Sequence, residues 1–318
     1  MTKNIIIITG IIILLFTGTA FSAFDDIGIG ARPLGMGGAF VAVADDENAT
    51  AHNPGGLSYI KKPQAGFTHL RMFSGVVDYN YVSAIIPLGN LGSMGLSFGM
   101  LGVESGVYTE RNIAFSYAAL VTEAVSVGAN IKMLSTGFDE AAVEGNDYFS
   151  ETSTLGFTFD IGLLIKPVSG LGIGFMSENI SPVNVSISET NEDQVPRNLR
   201  LGVAYNFASI ASSAQQPALK EILETTTISV EGGLRQETET NVIRAKAGIE
   251  SWFANNTVGL RAGYSMKKID ESNSSVTLGG SVRIPVTSFG LRLDYAVQIF
   301  GNDLEDKLAH RISVAMSL

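Results

Sequence analysis

The chain has 318 residues, of which 45% are hydrophobic, 16% are charged and 35 are glycine, with no cysteine and a formal net charge of -10. Soluble domains carry about 25% charged residues and about 7% glycine. The apolar content excludes a disordered chain, and the lack of cysteine excludes disulfide scaffolds and thiolate metal sites. The acidic balance argues against a nucleic-acid partner. A large soluble domain or a membrane protein remains.

The first segment of the chain predicts export from the cytoplasm. Lys3 is followed by an apolar run from Ile5 to Phe16 and then by the small-residue cleavage motif Ala20-Phe21-Ser22. An apolar core of about 12 residues is too short to cross about 30 Å of hydrocarbon as a helix. We therefore predict a signal peptide over residues 1–23, with an N-terminal membrane anchor as the alternative.

Further along the chain, apolar residues repeat with a period of two. In the last segment, from Arg311 to Leu318, apolar side chains alternate strictly with polar or small ones. No stretch reaches the 18 or so apolar residues of a transmembrane helix, but a barrel strand needs only about 9 to 11 alternating residues. Such segments lie at 64–72, 76–87, 92–104, 109–119, 124–136, 154–166, 171–181, 196–207, 224–235, 241–252, 256–266, 273–284, 287–300 and 308–318.

These segments predict an all-β fold, a transmembrane antiparallel β-barrel of about 14 strands over residues 64–318. The alternative is a secreted β-sandwich, whose outer faces need more charge than 16% of the residues. Short and long connectors alternate, as periplasmic turns and external loops do in outer-membrane barrels. One connector on the predicted periplasmic side, Ala208 to Leu223, is long and predicts a short helix around Ala218–Leu223.

Residues 24–63, ahead of the first predicted strand, are dense in turn-forming residues. They include Ala31-Arg32-Pro33-Leu34-Gly35-Met36-Gly37-Gly38-Ala39-Phe40-Val41-Ala42, then an acidic turn, then Asn53-Pro54-Gly55-Gly56-Leu57. This order resembles the N-terminal signature of the FadL-like outer-membrane superfamily, and within it that of the PorV/PorQ branch. It departs from that pattern at Gly55, where alanine is usual, and at Ala51-His52, where an aromatic residue commonly precedes the asparagine.

The resemblance implies that residues 24–63 form a hatch that folds into the barrel from the periplasmic side. The residues that match the signature would form two hatch elements. They are Arg32, Gly35, Met36, Gly37, Gly38, Ala39 and Phe40 in the first, and Asn53, Pro54 and Leu57 in the second.

Charged residues fall on the polar faces of the predicted strands, which a barrel turns towards its lumen. Charges buried there must pair, so we predict that they hold the barrel and fix the hatch, with a substrate pathway as the alternative. They are Asp78, Lys132, Asp160, Arg200, Glu231, Arg244, Lys246, Glu250, Arg261, Arg283, Arg292, Asp294 and Arg311.

No motif in the chain predicts catalysis. Gly28-Ile29-Gly30 has Pro33 where a dinucleotide fingerprint needs glycine. The run Asp45-Asp46-Glu47 lacks the spacing of a calcium loop, so we expect a solvated acidic turn. The histidines are scattered, and neither a nucleophile elbow nor a Walker lysine is present. We therefore expect no enzyme activity, no catalytic or metal-binding residues and no cofactor.

Two functions stay open at this point. The PorV branch implies a role in export or surface attachment of secreted proteins by type IX secretion, with secreted proteins or secretion subunits as partners. FadL implies passive transport of hydrophobic small molecules such as long-chain fatty acids. Either function would place the protein in contact with lipid, in the outer membrane of a Gram-negative, two-membrane bacterium.

Overall fold

The computed structural model describes residues 23–24, 27–103, 106–144, 151–188, 192–211, 213–236, 241–268, 272–286, 288–301 and 308–318. The predicted signal peptide, residues 1–23, lies outside the described residues except for Ala23.

Fourteen strands in the described part of the chain form one closed antiparallel barrel, in which each strand pairs with its neighbours in sequence and the last pairs with the first. The strands are β1 (Gln64–Met72), β2 (Val77–Pro87), β3 (Ser93–Val103), β4 (Tyr108–Thr122), β5 (Val125–Phe138), β6 (Ser153–Ile165), β7 (Leu171–Glu178), β8 (Arg197–Asn206), β9 (Thr227–Gln236), β10 (Asn241–Phe253), β11 (Val258–Lys268), β12 (Ser272–Val286), β13 (Phe289–Phe300) and β14 (Leu308–Ser317). The predicted barrel fold is confirmed. Strand ends differ from prediction by up to three residues, as at the start of β9, predicted at 224 and observed at Thr227.

Short helices lie before and between the strands. They are α1 (Ala31–Gly35), α2 (Ala49–His52), α3 (Glu140–Val143), α4 (Ala208–Ala211) and α5 (Pro217–Thr225), with 3-10 helices at Pro54–Tyr59, Phe73–Gly75 and Gly89–Leu91. Helix α5 covers the helix predicted within the long connector. Among the described residues, no helix is both long enough and apolar enough to cross a membrane.

The two faces of the wall differ in chemistry because successive side chains of a strand point to opposite sides. Outward-facing apolar side chains are exposed all round the barrel, including Ile131 at 65%, Phe157 at 61% and Leu201 at 57%. An apolar surface of this extent is incompatible with water. It matches the lipid-facing band of an outer-membrane barrel.

Residues 27–63, here called the plug, lie inside the barrel. Their helix α1 contacts β11 to β14, and the 3-10 helix Pro54–Tyr59 contacts β4, β5 and β6 on the other side of the lumen. Met36, Phe40 and Leu57 of the plug have no exposed surface. The hydrophobic core therefore lies between plug and wall, and the plug fills the lumen.

Among the described strands, β6 and β7 have the shortest pairing in the wall. Strand β6 pairs with β7 over only five residue pairs, from Ile161 opposite Ser177 to Ile165 opposite Ile173. Beyond this point, the segment that follows β7 turns inwards over the lumen. Its Val185 is buried, and the hydroxyl of Thr136 on β5 donates a hydrogen bond to the Val185 carbonyl at 2.9 Å.

The closed barrel makes a prediction about behaviour in detergent. Because every strand is hydrogen-bonded on both sides, the barrel should resist dodecyl sulfate at room temperature and unfold only on heating. We expect unboiled and boiled samples to migrate as two bands on a gel, with the folded band retained in detergent micelles. Solubility without detergent and a single band under both conditions would contradict the membrane barrel.

Candidate functional site

The contact between plug and wall is the candidate functional site, because it brings together most of the predicted site residues. The plug's own sequence shapes its turns. Gly37 and Gly38, just after α1, have φ angles of 66° and 76°, which favour glycine. Asn53 caps the 3-10 helix by accepting a hydrogen bond from the Gly55 amide at 2.9 Å, the capping role that asparagine commonly takes.

Glycines on the lumen face of the wall let the plug backbone come close. A Cβ atom on Gly263 of β11 would lie 2.0 Å from the Gly37 nitrogen, and one on Gly248 of β10 would lie 2.2 Å from the Met36 oxygen. On the far side, a Cβ on Gly174 of β7 would lie 2.1 Å from the Val41 oxygen. The glycine surplus of the sequence therefore has a packing role here, since no other residue fits these contacts.

Arg32 connects the plug to β10. Its Nε and Nη2 atoms donate to the two carboxylate oxygens of Glu250 at 2.8 and 2.7 Å. Its Nη1 atom lies 2.6 Å from Asp45 and 2.8 Å from Asp46, within the plug's own acidic turn. This two-pronged geometry is the strongest form of an arginine-carboxylate pair.

Two arginines of the wall extend this pairing across β10, β11 and β13. Arg261 donates from Nε to Glu250 at 2.5 Å and lies 3.5 Å from Asp294. Arg292 pairs with Asp294 at 2.8 Å, and its Nη2 atom reaches Glu47 of the plug at 2.6 Å. Plug and wall thus each contribute arginines and carboxylates to one continuous network of ion pairs.

Burial and neighbouring charges shift the pKa values of Asp46 and Glu47, in the acidic turn of the plug, in opposite directions. Burial disfavours the charged form of Asp46, but Arg32 and Arg292 outweigh it and hold the pKa of Asp46 well below its usual range. Burial raises the pKa of Glu47 to about 8, with Arg292 opposing the shift and the carboxylates of Asp46 and Asp294 adding to it. Glu47 therefore binds a proton more readily than an ordinary carboxyl group does.

A second cluster fixes the opposite side of the plug. Glu231 of β9 accepts hydrogen bonds from the plug amides of Phe40 at 3.1 Å and Val41 at 3.0 Å. The same carboxylate pairs with Arg200 at 2.8 Å and lies 3.5 Å from Lys246. A wall carboxylate here pairs with two wall cations and also accepts hydrogen bonds from two buried amides of the plug.

His52 of the plug also belongs to this cluster. Its Nε2 atom lies 2.8 Å from the Ile29 carbonyl, and its Nδ1 atom lies 3.3 Å from Nη2 of Arg200. Burial, reinforced by Arg200, lowers the pKa of His52 to about 4. The imidazole is therefore neutral at pH 7, donates to the carbonyl and accepts from the guanidinium.

Further wall charges complete the ring around the plug. Lys132 pairs with Asp160 at 2.7 Å, and Asn130 between them donates to both Asp160 at 2.9 Å and the Thr50 carbonyl at 3.0 Å. Arg311 of β14 donates from Nε to the Gly28 carbonyl at 2.9 Å. The plug is thus held from several directions around its circumference.

The structure places all of the predicted hatch residues in the buried part of the plug. Arg32 and Gly35 lie in α1, Met36 to Phe40 in the turn after it, and Asn53, Pro54 and Leu57 at the 3-10 helix.

Two further predicted lumen charges, Arg283 and Arg244, have other surroundings. Arg283 lies near the end of β12, with its guanidinium 3.5 Å from the centre of the Trp252 ring. Arg244 lines a small cavity between β8, β9 and β10.

One predicted lumen charge, Asp78, lies on the wrong face. Tyr79 and Tyr81 are buried on the lumen face of β2, whereas Val82 on the other face is 46% exposed. Asp78 shares the outward face and lies opposite Arg71 of β1. The reason is that the Tyr81 hydroxyl bonds to Thr50 of the plug at 2.8 Å, so aromatic side chains fill the lumen at this strand.

Sequence reasoning missed the acidic turn as part of the site. The expectation of a solvated turn is wrong for Asp46 and Glu47, which are each only 3% exposed. Their signal was present, because the wall carries more arginines than its own carboxylates can pair. His52 was missed because a lone histidine carries no motif.

The ion network predicts a large effect of Glu250→Gln. This change leaves two buried guanidinium groups facing a neutral amide, at an expected cost of about 3 kcal/mol. We expect a lower urea midpoint for loss of the folded band in unboiled gels. Glu224→Gln is the matched control, because Glu224 is half exposed and its ion pair with Lys220 is long, at 3.8 Å. Equal midpoints for the two variants would show that the network does not stabilise the protein.

The glycine contacts predict that Gly263→Ala loosens the plug. The new Cβ would meet the plug backbone, and overpacking of this kind costs about 1 to 3 kcal/mol. Limited proteolysis of the folded barrel should then cleave the plug faster. Gly232→Ala on β9 serves as the control, because a Cβ there has no atom within 4 Å. Identical cleavage rates would rule out close packing as the reason for glycine at 263.

Several solved structures share this fold. A FadL homologue of Pseudomonas aeruginosa has a TM-score of 0.62 at 10% identity, covering 91% of this chain and 96% of that one. The toluene transporter TodX of Pseudomonas putida has a TM-score of 0.59 at 14% identity, covering 93% and 99%. The toluene transporter TbuX of Ralstonia pickettii has a TM-score of 0.59 at 13% identity, covering 93% and 98%. These likenesses show the fold alone.

No curated protein matches the sequence. One family model does match, over residues 48–316, and it describes the type IX secretion system membrane protein PorP/SprF. The match begins within the acidic turn region of the plug and extends through β14, so it covers nearly the whole barrel. The chain therefore belongs to the PorP/SprF family of type IX secretion system membrane proteins.

Proposed function

We propose that this barrel acts in the export or surface attachment of secreted proteins by type IX secretion, in the outer membrane of a Gram-negative bacterium. The family match over residues 48–316 supports the secretion system. Within that system, the sequence motif Gly35-Met36-Gly37-Gly38-Ala39-Phe40 supports a relationship to the PorV/PorQ branch. Partners of this function would be secreted proteins or other secretion subunits.

The observation that carries the proposal is the ionic attachment of the plug. Arg32, Glu250 and Arg261 are each buried and joined by hydrogen bonds of 2.5 to 2.8 Å. Moving the plug would separate these charges in a buried site, at a cost of several kcal/mol per uncompensated ion. A barrel closed in this way is suited to binding other proteins at its surfaces rather than to conducting them through its lumen.

The alternative is passive transport of a hydrophobic small molecule. It is favoured by the short pairing of β6 with β7, which ends at Ile161 opposite Ser177 and interrupts the wall. The chemistry of the lumen opposes it. A small cavity among the described residues is lined by Asn198, Arg200, Glu231, Gly233, Arg244 and Lys246, and charged walls of this kind do not favour an apolar ligand.

Affinity purification from outer membranes tests the proposal. A tagged chain, extracted in mild detergent, should bring down secretion subunits or secreted proteins, as identified by mass spectrometry. An unrelated plugged barrel of the same membrane, carrying the same tag, gives the background. If only that background is recovered, and the tagged strain instead takes up a hydrophobic substrate faster, the transport alternative replaces the proposal.

A further inference from the structure

The long connector between β8 and β9 lies at the end of the barrel that carries both chain ends of the wall. Its neighbours at this end are short, such as the connector between β4 and β5, which is residues 123–124. The β8–β9 connector instead folds into α4 and α5, which pack against each other and against the ends of β8 and β10. Neither the plug network nor the proposed function uses this element.

Hydrogen bonds show on which side of the wall α5 lies. The hydroxyl of Thr226, just after α5, bonds to the hydroxyl of Ser251 on β10 at 2.7 Å and to the Ile222 carbonyl at 2.7 Å. Ser251 lies on the same face of β10 as Ile249, which faces outwards and is 41% exposed. Thr226 itself is only 6% exposed. Helix α5 therefore lies against the outer surface of the wall.

The helix is amphipathic. Leu219, Ile222 and Leu223 recur at helical spacing and form one stripe. Lys220 and Glu224, a pair at 3.8 Å, lie on the adjacent, polar side of the helix. Leu219 is 45% exposed and Ile222 is 42% exposed, so the protein itself leaves the apolar stripe partly uncovered.

The uncovered stripe continues the lipid-facing band of the barrel. Ile228 of β9 is 41% exposed on the outward face two residues beyond Thr226, and Ile210 of α4 is 46% exposed. Tyr205 of β8 also faces outwards at this end, and its hydroxyl bonds to Ser209 of α4 at 2.7 Å. Tyrosine with a bonded hydroxyl is typical of the border between hydrocarbon and water.

We infer that α5 is an interfacial membrane anchor, which lies in the leaflet next to the chain ends and inserts Leu219 and Ile222 among phospholipid chains. Amphipathic helices bind this region by burying an apolar face about 5 to 10 Å into the boundary between headgroups and acyl chains. Lys220 and Glu224 then face the headgroups and water. The barrel gains a fixed depth and rotation relative to the membrane surface on this side.

The absence of cysteine from the sequence makes this inference directly measurable. Single variants Leu219→Cys, Ile222→Cys, Lys220→Cys and Glu224→Cys would carry a nitroxide label in the full chain, reconstituted in phosphatidylethanolamine and phosphatidylglycerol vesicles. Power saturation then compares relaxation by oxygen, which concentrates in lipid, with relaxation by a water-soluble nickel chelate. Ile131→Cys, in the middle of the outward band, supplies the lipid reference.

We expect the ratio of oxygen to nickel accessibility to be several-fold higher at 219 and 222 than at 220 and 224. Retention of the heat-dependent gel shift in each variant shows that the barrel remains folded. High nickel accessibility at all four positions would overturn the inference, because α5 would then project into water and its apolar stripe would be a surface for a protein. This outcome is independent of whether secretion partners co-purify.

Discussion

The pairing of buried charge across the lumen is the constraint on which this structure depends. An isolated ion in a site without water is too costly to keep, so each lumen arginine must meet a carboxylate. Arg261 and Arg292 of the wall meet Glu250 and Asp294, but the network closes only when the plug adds Arg32, Asp46 and Glu47. Plug and wall therefore depend on each other for folding, since either one without the other would contain unpaired buried charge.

Glycine sets the distance over which this pairing works. Side chains on the lumen face at 248 and 263 would hold the plug backbone away from β10 and β11. Such a shift would lengthen the hydrogen bonds between Arg32 and Glu250, which need fixed geometry on both oxygens. The charge-poor, glycine-rich composition thus follows from two demands on the wall, apolar side chains towards lipid and small or charged ones towards the plug.

The period-two pattern was enough to predict the barrel, because alternate residues of a strand between lipid and lumen face the two environments and differ in polarity accordingly. The pattern also correctly predicted, for nearly every lumen charge, which face of the wall carries it. It failed at Asp78, where tyrosines occupy the lumen and both faces of β2 carry polar groups. Asp46 and Glu47 were misassigned for a different reason. An acidic turn is expected to be solvated unless its partners are known, and the partner that both carboxylates share, Arg292, lies 245 residues from Glu47 in the sequence.

A barrel that is filled by its own plug must act through its surfaces. At one end the segment after β7 folds inwards, with Val183 and Val185 buried against Leu134, so a partner arriving there meets loops and not an open lumen. At the other end the turns are short and α5 lies against the outer wall beside the chain ends. Ion pairs hold the plug, and contact with lipid holds the wall. Side chains at either rim are therefore presented to a partner in a fixed orientation, which lowers the conformational entropy lost on binding.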